Sequence, residues 1–195
     1  MPAVQPLAKA EEIRIPFQSA QAYVLIGQPG FKRSDPDFLA LLVGNHILGG
    51  GGFTSRLTEE VREKRGLSYS VYSQFAPGLQ CGRLRHQPAD APRPGGRGAE
   101  SFARRCWSAS LPDGPTEAEL KAAKDNLIGG FALRIDSNRK LLGNVVNIAT
   151  NDLPLDYLDG WTDRVAALTV ADVRAAMARK LQPERMVTVV LGAQP

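Results

Sequence analysis

Arg62 and Tyr69 are the residues whose types and spacing most readily suggest chemistry. They bound the run Arg62-Glu63-Lys64-Arg65-Gly66-Leu67-Ser68-Tyr69, which reads as a helix end, a turn and the next strand. Both side chains are hydrogen-bond donors. Brought together, they could converge on one carbonyl or carboxylate oxygen, polarising a peptide carbonyl or holding a substrate backbone. The spacing fits equally well a solvated basic helix end favoured by the helix dipole, with Tyr69 in a core. The run Gly49, Gly50, Gly51 and Gly52 is the second candidate, because four glycines let a backbone approach a peptide or phosphate closely. A phosphate loop would need GxxxxGK[ST] after a strand, and this run is neither. A flexible turn between two helices is the plainer reading.

Other reactive side chains are sparse. The two histidines, His46 and His86, are forty positions apart and exclude a closely spaced His₂ or His₃ metal site. His46 reads as structural. Ser68 and Ser70 have no His placed to act as their base. Asp125 and Asp136 read as solvated helix charges, and Tyr157 and Trp161 as core. The two cysteines, Cys81 and Cys106, exclude a disulfide scaffold and a Cys₄ zinc site. No metal is expected on this chain.

The elements that must position these residues follow from patterning. The chain has 195 residues, 43% hydrophobic and 23% charged, which fits one domain with a real core. No apolar run reaches the 18 or so residues of a membrane span, and residues 1–20 lack the pattern of a signal peptide. Residues 1–10 read as a linker. Ile13, Ile15 and Phe17 alternate, as in a strand, and residues 21–27 read as a second, more buried strand that Gln28-Pro29-Gly30 breaks. Ser34-Asp35-Pro36 opens a helix whose face is Phe38, Leu41, Leu42, Asn45 and Leu48. Thr54 or Ser55 caps the next, with Gly66 past its end. Residues 67–75 alternate as a third strand. Thr116-Glu117-Ala118-Glu119 is a capping box opening a helix striped by Leu120, Ala123, Leu127, Ile128 and Phe131. Further helices are expected over Leu141–Ile148, with Leu141, Leu142, Val145 and Val146 on one face, over Tyr157–Leu168, and from Thr169 to about Leu181. Met186–Leu191 closes the chain as a strand. Strands at the start, middle and end with helices between argue for a two-layer α/β sandwich.

Residues 81–110 do not fit this patterning. Cys81–Ala99 holds four Arg, three Pro and four Gly with no hydrophobic period, and a structureless loop of that length is unusual in a compact domain. Read one nucleotide later with G/C-rich codons, the same stretch can encode A-A-A-F-A-I-S-L-Q-T-R-P-D-Q-A-A-E-A-L. That string has a strand-like alternation followed by a helix start. Compensating frameshifts through 81–110 are therefore expected, and the residues as they stand should leave out a central strand and a helix. With the alternative string, the net charge would fall from +4 to 0. The basic pI near 9.3 then gives little support to a nucleic-acid partner, and no aromatic-interleaved basic groove is present.

Several separated stretches, in order, resemble the C-terminal domain of the pitrilysin/insulysin-type zinc peptidases, which include mitochondrial processing peptidase. They are LGGGGFTSRLTEEVREKRGLSYSV (Leu48–Val71), GPTEAELKAAKDNLIGGFALRIDSN (Gly114–Asn138), LPLDYLDGW (Leu153–Trp161) and LTVADVRAAMARKLQPERMVTVVLG (Leu168–Gly192). IPFQSAQAYVLIGQPG (Ile15–Gly30) also fits. The resemblance implies an α+β fold, a two-layer α/β sandwich with a mostly antiparallel sheet and helices over one face. It implies one such domain over residues 11–195. Members pair two similar halves around a chamber, and one half carries zinc on H-x-x-E-H, whose Glu is the general base. H-x-x-E-H is absent here, so the chain resembles the half without metal, not expected to be active alone. Zinc is expected in a partner half, in the same full-length chain or a separate subunit.

By the same resemblance Arg62 and Tyr69 contact substrate near the scissile bond, and Gly49, Gly50, Gly51 and Gly52 help engage it. The implied function is to enclose the chamber and bind peptide for proteolysis; the alternative is a non-enzymatic structural subunit of the same fold. A homodimer stays open as a partner state. A periplasmic location would follow for a bacterial member on resemblance alone.

Overall fold

The computed structural model describes residues 4–5, 7–19, 22–79, 82–89 and 114–192. Among the described residues, five strands form one sheet: β1 (Glu11–Ile15), β2 (Tyr23–Pro29), β3 (Ser70–Ala76), β4 (Arg83–Ala89) and β5 (Val187–Leu191). Their order is β1-β5-β2-β4-β3. Only β1 and β5 run parallel; the other three pairings are antiparallel. The helices are α1 (Phe38–Asn45), α2 (Glu117–Gly129), α3 (Asn138–Thr150), α4 (Trp161–Ala167) and α5 (Val170–Lys180). The α+β two-layer sandwich expected from the sequence is the fold found.

Period-two patterning places the core on one sheet face. Val24 and Ile26 of β2, Val71 and Ser73 of β3, and Thr188 and Val190 of β5 are buried there. Leu41 and Val43 of α1, Leu120, Ala123 and Leu127 of α2, Trp161 and Val165 of α4, and Val173, Ala176 and Met177 of α5 are buried with them. Phe131 stacks on Trp161 with centroids 4.8 Å apart. Two capping boxes start α2 and α5: Thr116 with Glu119, and Thr169 with Asp172. Each satisfies two amide donors that a bare helix start would leave without partners.

Several expectations are corrected. β2 continues through Gln28 and Pro29 rather than breaking there. Asp35 starts a turn, its carboxylate accepting from the Asp37 amide at 2.9 Å, and α1 begins only at Phe38. The stripe of α3 does not enter the core: Leu141, Leu142, Val145 and Val146 are exposed, and only Ile148 of that helix is buried. The hydrophobic period establishes that α3 is amphipathic, but among the described residues no element packs over those four side chains.

The expected loss of a central strand is also overturned. Arg83–Ala89, as it stands, pairs with β3 from Ser70↔Ala89 to Ala76↔Arg83 and with β2 from Ile26↔His86 to Pro29↔Arg83. Ladder bonds come from the backbone, so two flanking strands can recruit a segment lacking apolar alternation. Pro88, which has no amide hydrogen, faces Val71 of β3 and lies past the last β2 pair. Cys81, Cys106 and the expected helix of this segment lie outside the described residues.

Candidate functional site

The candidate residues meet at the corner between α1 and β3. Beyond Asn45 the helix widens into a π-helical turn over His46–Gly50. Gly49 therefore lies inside this turn, pressed on β3. A Cβ there would stand 2.5 Å from Ser73 Oγ, 2.6 Å from Ser73 N and 2.7 Å from Leu57 Cδ1. Ser73 Oγ donates to Asn45 Oδ1 at 2.7 Å and ties the same turn to the strand. Gly52 has φ +66° with nothing near its missing Cβ, and it reverses the chain into a short 3₁₀ turn, Gly52–Thr54. The glycine run is thus a packed helix end plus one reversal, rather than a flexible loop.

Ser55 enters the next helical segment. Its carbonyl accepts from the Glu59 amide at 3.0 Å, its hydroxyl donates to Gly52 O at 2.8 Å, and it shares a 3.0 Å hydrogen bond with the Thr58 hydroxyl. The expected cap at Thr54 or Ser55 is a hydroxyl pair rather than a side chain accepting from an amide. Arg56 anchors this segment to the start of α2. Its Nε is 2.6 Å from Glu119 Oε1, and its Nη2 donates to Glu119 Oε2 at 2.7 Å and to Gly114 O at 2.9 Å. Hydrogen bonding from Arg56 holds the Glu119 carboxyl down at about 2, with the Thr116 amide and hydroxyl adding to it against the opposing effect of burial.

Thr58–Glu63 is a second π-helical turn. Such wide turns recur at functional sites because they re-aim side chains. Gly66, at φ +59°, ends it, with its amide donating to Arg62 O at 2.9 Å and the Leu67 amide to Val61 O at 2.9 Å. Ser68 Oγ donates to Ser70 O at 2.7 Å and fixes the bend before β3. This reversal carries Tyr69 back beside Arg62. Ladder alternation would have put Tyr69 on the core face with Val71, but β3 begins only at Ser70, and Tyr69 is 76% exposed. The core reading of Tyr69 is therefore excluded.

The Arg62 guanidinium carbon lies 5.1 Å from the Tyr69 ring centroid and 4.9 Å from that of Phe53, itself 74% exposed. Both distances are within cation–π range. The ion pair of Arg62 with Glu63, at 3.4 Å, involves an exposed neighbour in the sequence and constrains it little. Gly49, Gly52, Phe53, Thr58, Arg62 and Tyr69, with Ser70–Tyr72, line a cleft of about 300 Å³. Gly50 and Gly51 do not line it. A Cβ on Gly51 would meet His46 O at 2.6 Å, so that residue serves internal packing.

Sequence reasoning missed Phe53, which followed the glycines without a periodic pattern, and the Arg56–Glu119 anchor, because Glu119 was accounted for as a capping residue. His46 is half-buried; burial and, secondarily, the charge of Arg134 push its imidazole below its ordinary value, which favours the neutral ring. Trp161 is buried and Tyr157 half-buried. Asp125 pairs with Lys121 on the exposed surface of α2, whereas Asp136, in the bend before α3 and not on a helix as expected, pairs with Lys140. Among the described residues, no group of three or more His, Cys, Asp or Glu could hold a metal ion, and no helix is long and apolar enough to cross a membrane.

The description "Peptidase M16 inactive domain" matches residues 2–127. The chain belongs to this family. It is 32% identical over 201 residues to an uncharacterized zinc protease of Streptomyces coelicolor, covering 98% of this chain and 43% of that protein. A crystal structure of a peptidase M16 inactive domain from Pseudomonas fluorescens superposes with a TM-score of 0.91 at 36% identity, over all of this chain and 46% of that one. A relative named a non-peptidase homolog, YmxG of Helicobacter pylori, is 28% identical over 163 residues, covering 78% of this chain and 35% of the relative. The M16 chain thus spans less than half the length of these relatives.

Proposed function

We propose that this inactive M16 domain is the substrate-holding half of a zinc metalloendopeptidase: it helps enclose the chamber and binds peptide at the Arg62–Tyr69 cleft, while zinc and the general base belong to a partner half with H-x-x-E-H. The observation that carries this reading is the exposure of Tyr69 beside a guanidinium that, among the described residues, has no strong carboxylate partner. A tyrosine held out of the core and an arginine stacked on it together offer hydroxyl and guanidinium donors to one peptide carbonyl. Gly49 and Gly52 leave the cleft wall without side chains, so an extended backbone can approach closely.

The test is reconstitution. Purified chain added to its zinc-bearing half should restore peptide hydrolysis. Arg62→Ala should lower kcat/KM by about 10²-fold, the range for loss of one preorganised donor, and Tyr69→Phe should lower it in the same direction. Unchanged hydrolysis in both variants would refute the role.

A second reading, a structural subunit without peptidase function, is favoured by the relative named a non-peptidase homolog. Stable assembly with the partner and no zinc-dependent hydrolysis by the complex would support it over the first.

We also propose that residues 11–195 are one domain and that compensating frameshifts run through 81–110. Formation of β4 by Arg83–Ala89 removes one ground for the frameshift. Sequencing the coding DNA through this stretch decides it: a single continuous frame refutes the proposal.

A further inference from the structure

Phe53 and Tyr69 carry the largest exposed aromatic surfaces at this corner, at 74% and 76% exposure, and they flank a single guanidinium. Leaving two rings in water forgoes much of the stabilisation that burying such side chains provides, so their placement calls for a covering group. The rest of the lining sets what that group is. Val71 and the Phe53 and Tyr69 rings are apolar, Gly49 and Gly52 add no side chain, and among the described residues no carboxylate lines the cleft. The Arg62 guanidinium sits against both rings and presents its N–H edges for an acceptor. The volume, about 300 Å³, is at the small end of ligand clefts and suits one large side chain with its adjoining backbone.

Resting on the peptide-binding reading above, we infer that Phe53 is a specificity-determining residue: with Tyr69 it walls a slot for a large apolar, preferably aromatic, side chain of the peptide, whose main-chain carbonyl accepts from Arg62. An acidic side chain would exchange apolar packing for an ion pair with Arg62 and leave the two ring faces uncovered. A basic side chain would meet Arg62 itself.

Acetylated, amidated pentapeptides Ala-Ala-X-Ala-Ala, with X as Phe, Leu, Ala, Glu or Lys, test this by titration into the full 195-residue chain, followed by calorimetry or ¹H–¹⁵N NMR shifts. The Phe peptide should bind at least about tenfold more tightly than the Ala peptide, the size expected for burying part of one ring. Phe53→Ala should bring that ratio near one, and Phe53→Leu should leave an intermediate ratio. Arg62→Ala should weaken the Phe, Leu and Ala peptides by a similar factor. Because Phe53 is a surface residue, a matching thermal transition in its variants will separate lost selectivity from lost fold. Arg62-dependent binding with no preference for Phe or Leu, or a preference that survives Phe53→Ala, overturns the inference and leaves the peptide-binding reading standing. Failure of every peptide to bind, or binding indifferent to Arg62→Ala, overturns the reading and the inference together.

Discussion

Replacing Glu119 with Gln isolates the charge that ties the Arg62 segment to α2. Gln at the third helical position still completes a capping box with Thr116, so the helix start is retained while the bidentate ion pair with Arg56 is lost. The native carboxyl is held at about 2 against an ordinary 4.5. That difference corresponds to about 3 kcal/mol of stabilisation at neutral pH. The side chains of Arg56 and Glu119 are 26% and 30% exposed, and solvent screening reduces the expected effect to about 1–2 kcal/mol. The sign follows from the lowered native value. The unfolded chain takes up the proton first, so the contribution is complete above about 4.5 and is lost as pH falls toward 2, with somewhat over half gone by about pH 3. Urea unfolding of wild type and Glu119→Gln at pH 7, 5, 4 and 3 measures it. The gap between them should be about 1–2 kcal/mol at pH 7 and shrink below about pH 4.5. A gap that is absent at pH 7, or constant across the series, would refute the assignment of an ion-pair anchor.

Three further outcomes follow from the packing. Gly49→Ala should cost about 1–3 kcal/mol, because its Cβ would overlap Ser73 and Leu57; Gly52→Ala should cost about 1 kcal/mol, from its positive φ alone. Differential scanning calorimetry ranks the two, and an equal or reversed order contradicts the close approach at Gly49. Leu127→Ala, in the core, should destabilise by about 2–5 kcal/mol, whereas Leu142→Ala on exposed α3 should stay within about 0.5 kcal/mol; a large loss at Leu142 would mean that the face is covered. His46 is lowered by burial, so the unfolded chain protonates first and native stability should fall as pH drops below about 6.5. His46→Gln should flatten that dependence in thermal melts between about pH 5 and 7, and an unchanged slope would show that His46 does not cause it.

The features legible in the sequence are those fixed within a few residues. Thr116 with Glu119, and Thr169 with Asp172, close their capping boxes three positions apart, and Gly66 takes the left-handed turn that its place past a helix end requires. The alternation of Val24 and Ile26, and the stripe of Leu120, Ala123 and Leu127, marked buried faces directly. The absence of H-x-x-E-H and the linear order of the stretches from Ile15 to Gly192 already pointed to the half without metal. Tertiary structure decided what each face meets. It left the apolar stripe of α3 exposed, because periodicity specifies a face but not its neighbour. It made a strand of Arg83–Ala89, because β2 and β3 offered ladder partners on both sides. It began β3 one residue after Tyr69, turning that ring out of the core, and it set Phe53 across from it on Arg62. The cleft lies within Gly49–Tyr72, yet patterning does not specify it, since its walls come from a helix end, a reversal and an edge strand that meet only on folding.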